Sequence, residues 1–133
     1  MSSIFKAVAE NNLQMTLQLL ADEPRLIALR DRHGWTPLHQ AVASSSLEVV
    51  LALLERGAEA NARGRALETP LHLADTETAT WLLIRYGADP RLTDRNQLTP
   101  LDLVREHLQP GLHRMLSEAV RHLNKMSELP PPN

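Results

Sequence analysis

Six histidines are the residues best equipped for chemistry in this 133-residue chain: His33, His39, His72, His107, His113 and His122. An imidazole can serve as a base, relay a proton or ligate a metal. A metal site needs several ligands at close spacing, and nucleophilic catalysis needs a nucleophile beside its base. Neither pattern is present. There is no H-E-x-x-H, and with no cysteine there is no thiolate ligand, disulfide or Cys nucleophile. G-x-S-x-G and Gly-rich phosphate loops are missing, the five glycines being scattered. Ser44-Ser45-Ser46 reads as a turn between helices, and Asp22 and Glu23 as solvated charge at a helix end. The chain is therefore expected to be non-catalytic, with no cofactor and no bound metal.

Two of the histidines sit inside a repeated phrase. Thr36-Pro37-Leu38-His39 recurs 33 residues later as Thr69-Pro70-Leu71-His72, and 30 residues after that as Thr99-Pro100-Leu101-Asp102. A second phrase follows in register: Leu53-Leu54-Glu55-Arg56-Gly57-Ala58-Glu59 matches Leu83-Ile84-Arg85-Tyr86-Gly87-Ala88-Asp89. From Gly57 to Thr69 and from Gly87 to Thr99 is 12 residues, so the three residues missing from the shorter copy lie between His72 and Trp81. Periods of this size signify stacked units, none of which can bury its apolar face alone.

The elements follow from the same residues. Thr suits a helix N-cap, and Pro suits the first helical position, where its missing N–H is no loss. Short inner helices are predicted over Pro37 to Ser44, Pro70 to Ala74 and Pro100 to His107. Outer helices are predicted over Leu47 to Arg56, Thr76 to Tyr86 and Pro110 to Lys125. Gly57 and Gly87 fall where a left-handed residue ends a helix. Upstream, Ile4 to Asn11 and Leu13 to Leu20 read as a first pair, with Pro24 in place of the closing glycine.

T-P-L-H-x-A stands at Thr36 to Ala41 and at Thr69 to Ala74, with a T-P-L-D-x-V variant at Thr99 to Val104. On these motifs and their period the chain resembles the ankyrin repeat family over about residues 4–125. The resemblance implies an all-α ankyrin-repeat solenoid of about four helix-turn-helix units, each followed by a projecting β-turn loop. The units span about 4–33, 34–66, 67–96 and 97–125, within a single domain, 1–126. The first and last are expected to be caps; Asp102 and Arg105 depart from the pattern, and the last outer helix is polar, as an end needs. The tail 127–133, with three consecutive prolines, is expected to be extended and loose. In the family the T-P-L-H imidazole bonds backbone between neighbouring repeats, and that structural role is expected of His39 and His72.

The resemblance also implies binding through the loop tips and the exposed side of the inner helices. The corresponding positions are Arg32, His33 and Trp35 in the first loop, and Arg63, Arg65 and Glu68 in the second. The third loop supplies Arg91, Arg95, Asn96 and Leu98, and the last inner helix Glu106 and His107. Glu10, Asn11, Ala43 and Ser44 are expected to face the same groove. Six of the 14 basic residues (Arg30, Arg32, Arg63, Arg65, Arg91 and Arg95) fall in these loops, against Asp31, Glu68 and Asp94. The loop edge is thus basic although the net charge is -2. Arg favours planar contacts to carboxylates, and Trp and Arg dominate interface hot spots. A protein partner with an acidic surface is expected, centred on Trp35. Trp81 is instead expected to fill core space beside the shortened unit, which is expected to leave a notch between His72 and Glu106.

Composition agrees. Apolar residues make up 43% and aromatics 3%, with Leu about a fifth of the chain; thin helix layers need Leu, Ala and Val more than large rings. No run of apolar residues is long enough to span a membrane. No signal peptide is read at the start, so a cytoplasmic location is expected. Net charge and the lack of stacking aromatics argue against nucleic acid. The expected function is a non-catalytic interaction module, monomeric when free, that binds and blocks or regulates one protein. An immunity-type inhibitor of a toxin, or an adaptor joining two proteins, are the alternatives.

Overall fold

Threonine and proline start three of the helices by one shared device. Thr36 is extended (φ -83°, ψ 168°) and Pro37 opens the helix behind it. The Thr36 N–H donates to His39 Nδ1 at 3.1 Å, and the His39 N–H donates back to Thr36 Oγ1 at 3.4 Å. Thr69 and His72 repeat this, and at Thr99 the carboxylate of Asp102 takes the place of the imidazole (2.9 Å). The reciprocal pair satisfies two otherwise orphaned N–H groups at each helix start.

The computed structural model describes residues 3–105 and 107–127. The helices are α1 (Ser3–Ala9), α2 (Leu13–Asp22), α3 (Pro37–Ala43), α4 (Leu47–Glu55), α5 (Pro70–Leu73), α6 (Glu77–Arg85), α7 (Pro100–Leu103) and α8 (Pro110–Ser127). A 3₁₀ segment, Pro24–Ala28, follows α2, so Pro24 opens a new turn rather than simply closing a helix. No strand occurs among the described residues. Odd-numbered helices pack side by side as an inner row and even-numbered ones as an outer row, each pair an antiparallel hairpin. This is an ankyrin solenoid.

The ends of α4 and α6 are set by glycine. Gly57 and Gly87 have φ of +88° and +98°. The Ala58 N–H reaches Leu53 C=O at 3.0 Å and the Gly57 N–H reaches Leu54 C=O at 3.1 Å, with the same pair at Ala88 and Gly87. Nothing stands within 4 Å of a Cβ added at either glycine, so the backbone angle alone demands it.

The core is aliphatic. Ile4, Val8, Leu38, Val49, Val50, Leu53 and Leu83 are fully buried. Thr16 and Thr80, also fully buried, return their hydroxyls to Asn12 C=O and Thr76 C=O (2.8 and 2.9 Å), so no polar group is orphaned there.

Two expectations fail. Trp81 is 51% exposed and fills no core space. The missing residues are accommodated by ending α5 after a single turn and starting α6 at once, with the Thr76 hydroxyl capping Ala79 N–H at 3.1 Å, so no void is left for a ring. The last inner helix stops at Leu103 rather than His107. Val104 turns extended, and the Gln109 N–H bonds Arg105 C=O at 2.8 Å just ahead of Pro110 at the start of α8.

Candidate functional site

The three loops share one tip. Asp31, Gly64 and Asp94 each donate their N–H to the carbonyl four residues on, at Trp35, Glu68 and Leu98 (2.9 to 3.0 Å). Gly34, Leu67 and Gln97 take the left-handed conformation that closes each turn, with φ of 72°, 61° and 63°. In the outer two loops an aspartate locks the tip: Asp31 Oδ1 accepts from His33 N–H and Trp35 N–H (2.8 and 3.0 Å), and Asp94 Oδ1 from Asn96 N–H and Leu98 N–H at the same distances. The middle loop has Gly64 there instead. A Cβ at Gly64 would collide with Glu68 Oε1 and stand 3.0 Å from Trp35 Cδ1, so Glu68 and the indole occupy the space that glycine leaves. Glu68 Oε1 is buried and accepts no hydrogen bond among the described residues.

The loop arginines divide by use. The guanidinium of Arg30 donates to Gly34 C=O at 2.8 Å and to Arg63 C=O at 2.5 Å. Arg63 in turn donates to Thr93 C=O at 3.1 Å, and Arg95 reaches back to Arg65 C=O. Backbone bonds add to these braces, from Arg65 N–H to His33 C=O and from Arg95 N–H to Ala66 C=O (3.0 and 2.8 Å). Arg91 forks onto Asp89 (Nε–Oδ1 3.0 Å, Nη2–Oδ2 3.1 Å), and this holds the Asp89 carboxyl below its ordinary range. Arg32 and Arg65 are exposed, and neither side chain has a partner among the described residues.

His39 and His72 link each unit to the next loop. His39 Nε2 donates to Glu68 C=O at 3.0 Å and His72 Nε2 to Leu98 C=O at 2.9 Å. Because Nδ1 accepts from the threonine N–H, the neutral Nε2–H tautomer is the one that fits. Burial lowers the His39 pKa below its ordinary value, against smaller opposing contributions from Glu68. Trp35 covers this imidazole: the rings stack 6.1 Å apart at 12°, and the His33 ring is tilted against the indole at 5.6 Å. Trp35 is half-buried, so its ring is a lid on His39 and not the projecting tip group expected from its place in a loop.

On the inner side of the first loop lies a hollow of about 540 Å³, lined by Phe5, Leu29, Arg30, Asp31, Arg32, His33 and Gln40. Phe5, Leu29 and Gln40 were not among the sequence-derived site residues. The sequence signal for Leu29 is its place immediately before the charged run Arg30-Asp31-Arg32. This hollow brings together Arg32 and His33; Trp35, Arg63, Arg65, Glu68, Arg91, Arg95, Asn96 and Leu98 lie along the loop edge away from its lining. Asn96 and His107 are exposed, Leu98 is partly buried, and the inner-helix positions Glu10, Asn11 and Ala43 are exposed. Ser44 is partly buried and its hydroxyl accepts from Gln40 Nε2 at 2.7 Å. Glu106, the notch expected beside it, and residues 128–133 of the tail lie outside the described residues. Among the described residues there is no cluster of metal-ligating side chains, and no helix is long and apolar enough to cross a membrane.

The loops and the helix pairs agree with what the chain is similar to. The sequence pattern described as "Ankyrin repeats (3 copies)" matches residues 1–64. Human BCL-6 corepressor-like protein 1 is 32% identical over 102 residues, 74% of this chain and 6% of that protein. Human ARF GTPase-activating protein GIT1 is 40% identical over 87 residues, 62% of this chain and 11% of that protein. The mouse 2-5A-dependent ribonuclease is 37% identical over 73 residues, 55% of this chain and 10% of that protein. The chain thus spans about a tenth or less of the length of these relatives. Repeated Thr-Pro helix starts, imidazole links to the next loop and the similarity to ankyrin-bearing proteins together place the chain in the ankyrin repeat family.

Proposed function

We propose that the chain binds an acidic segment of a partner protein across its loop edge and the hollow beside Phe5, and that occupancy blocks the partner's own surface. Ankyrin repeats are in general protein-interaction modules, typically without catalytic activity. The observation that carries the finer reading is the division of the arginines. Arg30, Arg63 and Arg95 hold the loops to one another, and Arg91 is neutralised by Asp89, whereas Arg32 and Arg65 stand exposed and unpaired on a backbone already braced. A guanidinium held on a rigid support loses little freedom when it takes a carboxylate, which favours affinity. The hollow beside Arg32 offers Phe5 and Leu29 to an apolar side chain.

Affinity capture from lysate, with wild type and the Arg32→Glu/Arg65→Glu variant compared side by side, tests the reading. The expected result is a protein retained by wild type, lost from the variant, and inhibited in its own assay by added wild-type chain. Equal retention by the two baits would refute the role of the two arginines. Retention without any effect on the partner's activity would refute blocking.

A further inference from the structure

The back of the stack carries apolar residues that neither the core nor the loop edge uses. Leu17, Leu51 and Trp81 occupy the same position in α2, α4 and α6, as their spacing from Leu19, Leu53 and Leu83 shows. Leu51 is 36% exposed, while Leu53, two residues on, is fully buried. Between α2 and α4 runs a trough of about 400 Å³, floored by Leu13, Leu17, Leu51 and Ala52 and rimmed by Glu48 and Glu55. It continues past Leu17 and Arg56 into a second hollow of about 310 Å³ that reaches Ile27. Arg56 is occupied at the junction, donating to Ala52 C=O at 3.2 Å. Glu48 and Glu55 are exposed, and among the described residues neither has a cationic partner.

We propose that this trough docks an amphipathic helix whose polar face is basic. Charge decides the sign: three charged residues line the trough, and the two carboxylates, seven residues apart on α4 and about 10 Å along its axis, outnumber Arg56, which is held at one end against the Ala52 carbonyl. Lys or Arg side chains two turns apart on the incoming helix meet both rims, with a Leu-like residue between them on the floor. Backbone chemistry decides the form. The N–H and C=O groups of α2 and α4 are spent within those helices, so the trough offers side chains and no strand edge, and an occupant that satisfies its own backbone is favoured. This surface is opposite in sign to the loop edge and lies on the other row of helices, so one chain carries two docking faces of different specificity.

Two synthetic peptides test this, each about 15 residues long, sharing one leucine stripe and carrying either Lys or Glu on the polar face. Fluorescence anisotropy with the full chain reads binding, and circular dichroism confirms that each variant is folded. The Lys peptide is expected to bind at least about tenfold more tightly than the Glu peptide, and Glu48→Lys/Glu55→Lys to reverse that order. Glu59→Lys/Glu118→Lys, the same change in net charge elsewhere, is expected to leave the preference intact. Equal binding of the two peptides, or an equal response to the two charge-reversed variants, would overturn the proposal. So would sedimentation showing that the chain dimerises and that Leu51→Glu abolishes the dimer, since the trough would then hold a second copy.

Discussion

The loop edge and the back of the outer helices differ in what their exposed residues are committed to. On the edge, charge is abundant, and most of it is structural. Arg30 and Arg63 each donate to the carbonyl of the matching position one unit on, and Arg95 to the unit before. On the back, Leu51 and Trp81 stand well exposed (36% and 51%), and the Trp81 ring lies 5.3 Å from the Arg85 guanidinium. A basic edge is therefore not by itself a recognition surface, and an apolar residue on an outer helix is not by itself core. What separates support from recognition is whether the polar atoms are already satisfied.

The sharpest break should come at His39, the buried join between the second unit and the middle loop. His39→Ala removes the bond to Glu68 C=O and the cap on Thr36, and leaves a cavity under Trp35. A loss of about 3 kcal/mol in urea unfolding is expected, against under about 0.5 kcal/mol for exposed His107→Ala. The same ring makes stability pH-dependent. Its pKa is lowered in the folded state, so below about 6.5 the unfolded chain takes up a proton that the folded ring resists. The stability it contributes is fully present above that pH and is lost as pH falls toward the folded value. Unfolding midpoints at pH 7.5 and 5.5 should differ in wild type, and that difference should shrink in His39→Gln.

The two tryptophans come next. Trp35→Ala strips the lid from His39 and should cost about 2 kcal/mol, whereas Trp81→Ala should cost under about 1 kcal/mol, the worth of an exposed cation–π contact. Equal losses would mean that the two rings are not placed as described. The smallest effects separate neighbouring arginines. Arg63→Ala should lower stability by about 0.5–1 kcal/mol through its lost bond to Thr93 C=O, and Arg65→Ala by less than about 0.5 kcal/mol. For partner affinity the order should invert, with Arg65→Ala the more damaging.

Local chemistry was legible in the sequence. Thr36-Pro37, Thr69-Pro70 and Thr99-Pro100 start helices because capping and a fixed φ act within four residues, and Gly57 and Gly87 end them for an equally local reason. What depended on neighbours was harder to read. Trp81 looked like filler because a deletion suggests a void, yet the void closes when α5 ends early and α6 begins at once. Trp35 looked like a tip residue because it sits in a loop, yet its ring folds back on an imidazole of the following helix. The arginine braces leave a trace in the sequence. Arg30 and Arg63 share one register position, and Arg32, Arg65 and Arg95 share another. A basic residue repeated at the period of the fold is a sign of unit-to-unit bonding as much as of recognition.

Hydrogen exchange of the chain alone and in complex with the partner that it captures tests the central claim most directly. The account predicts added protection in residues 31–35 and 64–68 and in the first turns around Phe5. Protection confined to residues outside the loops and the inner helices would contradict it.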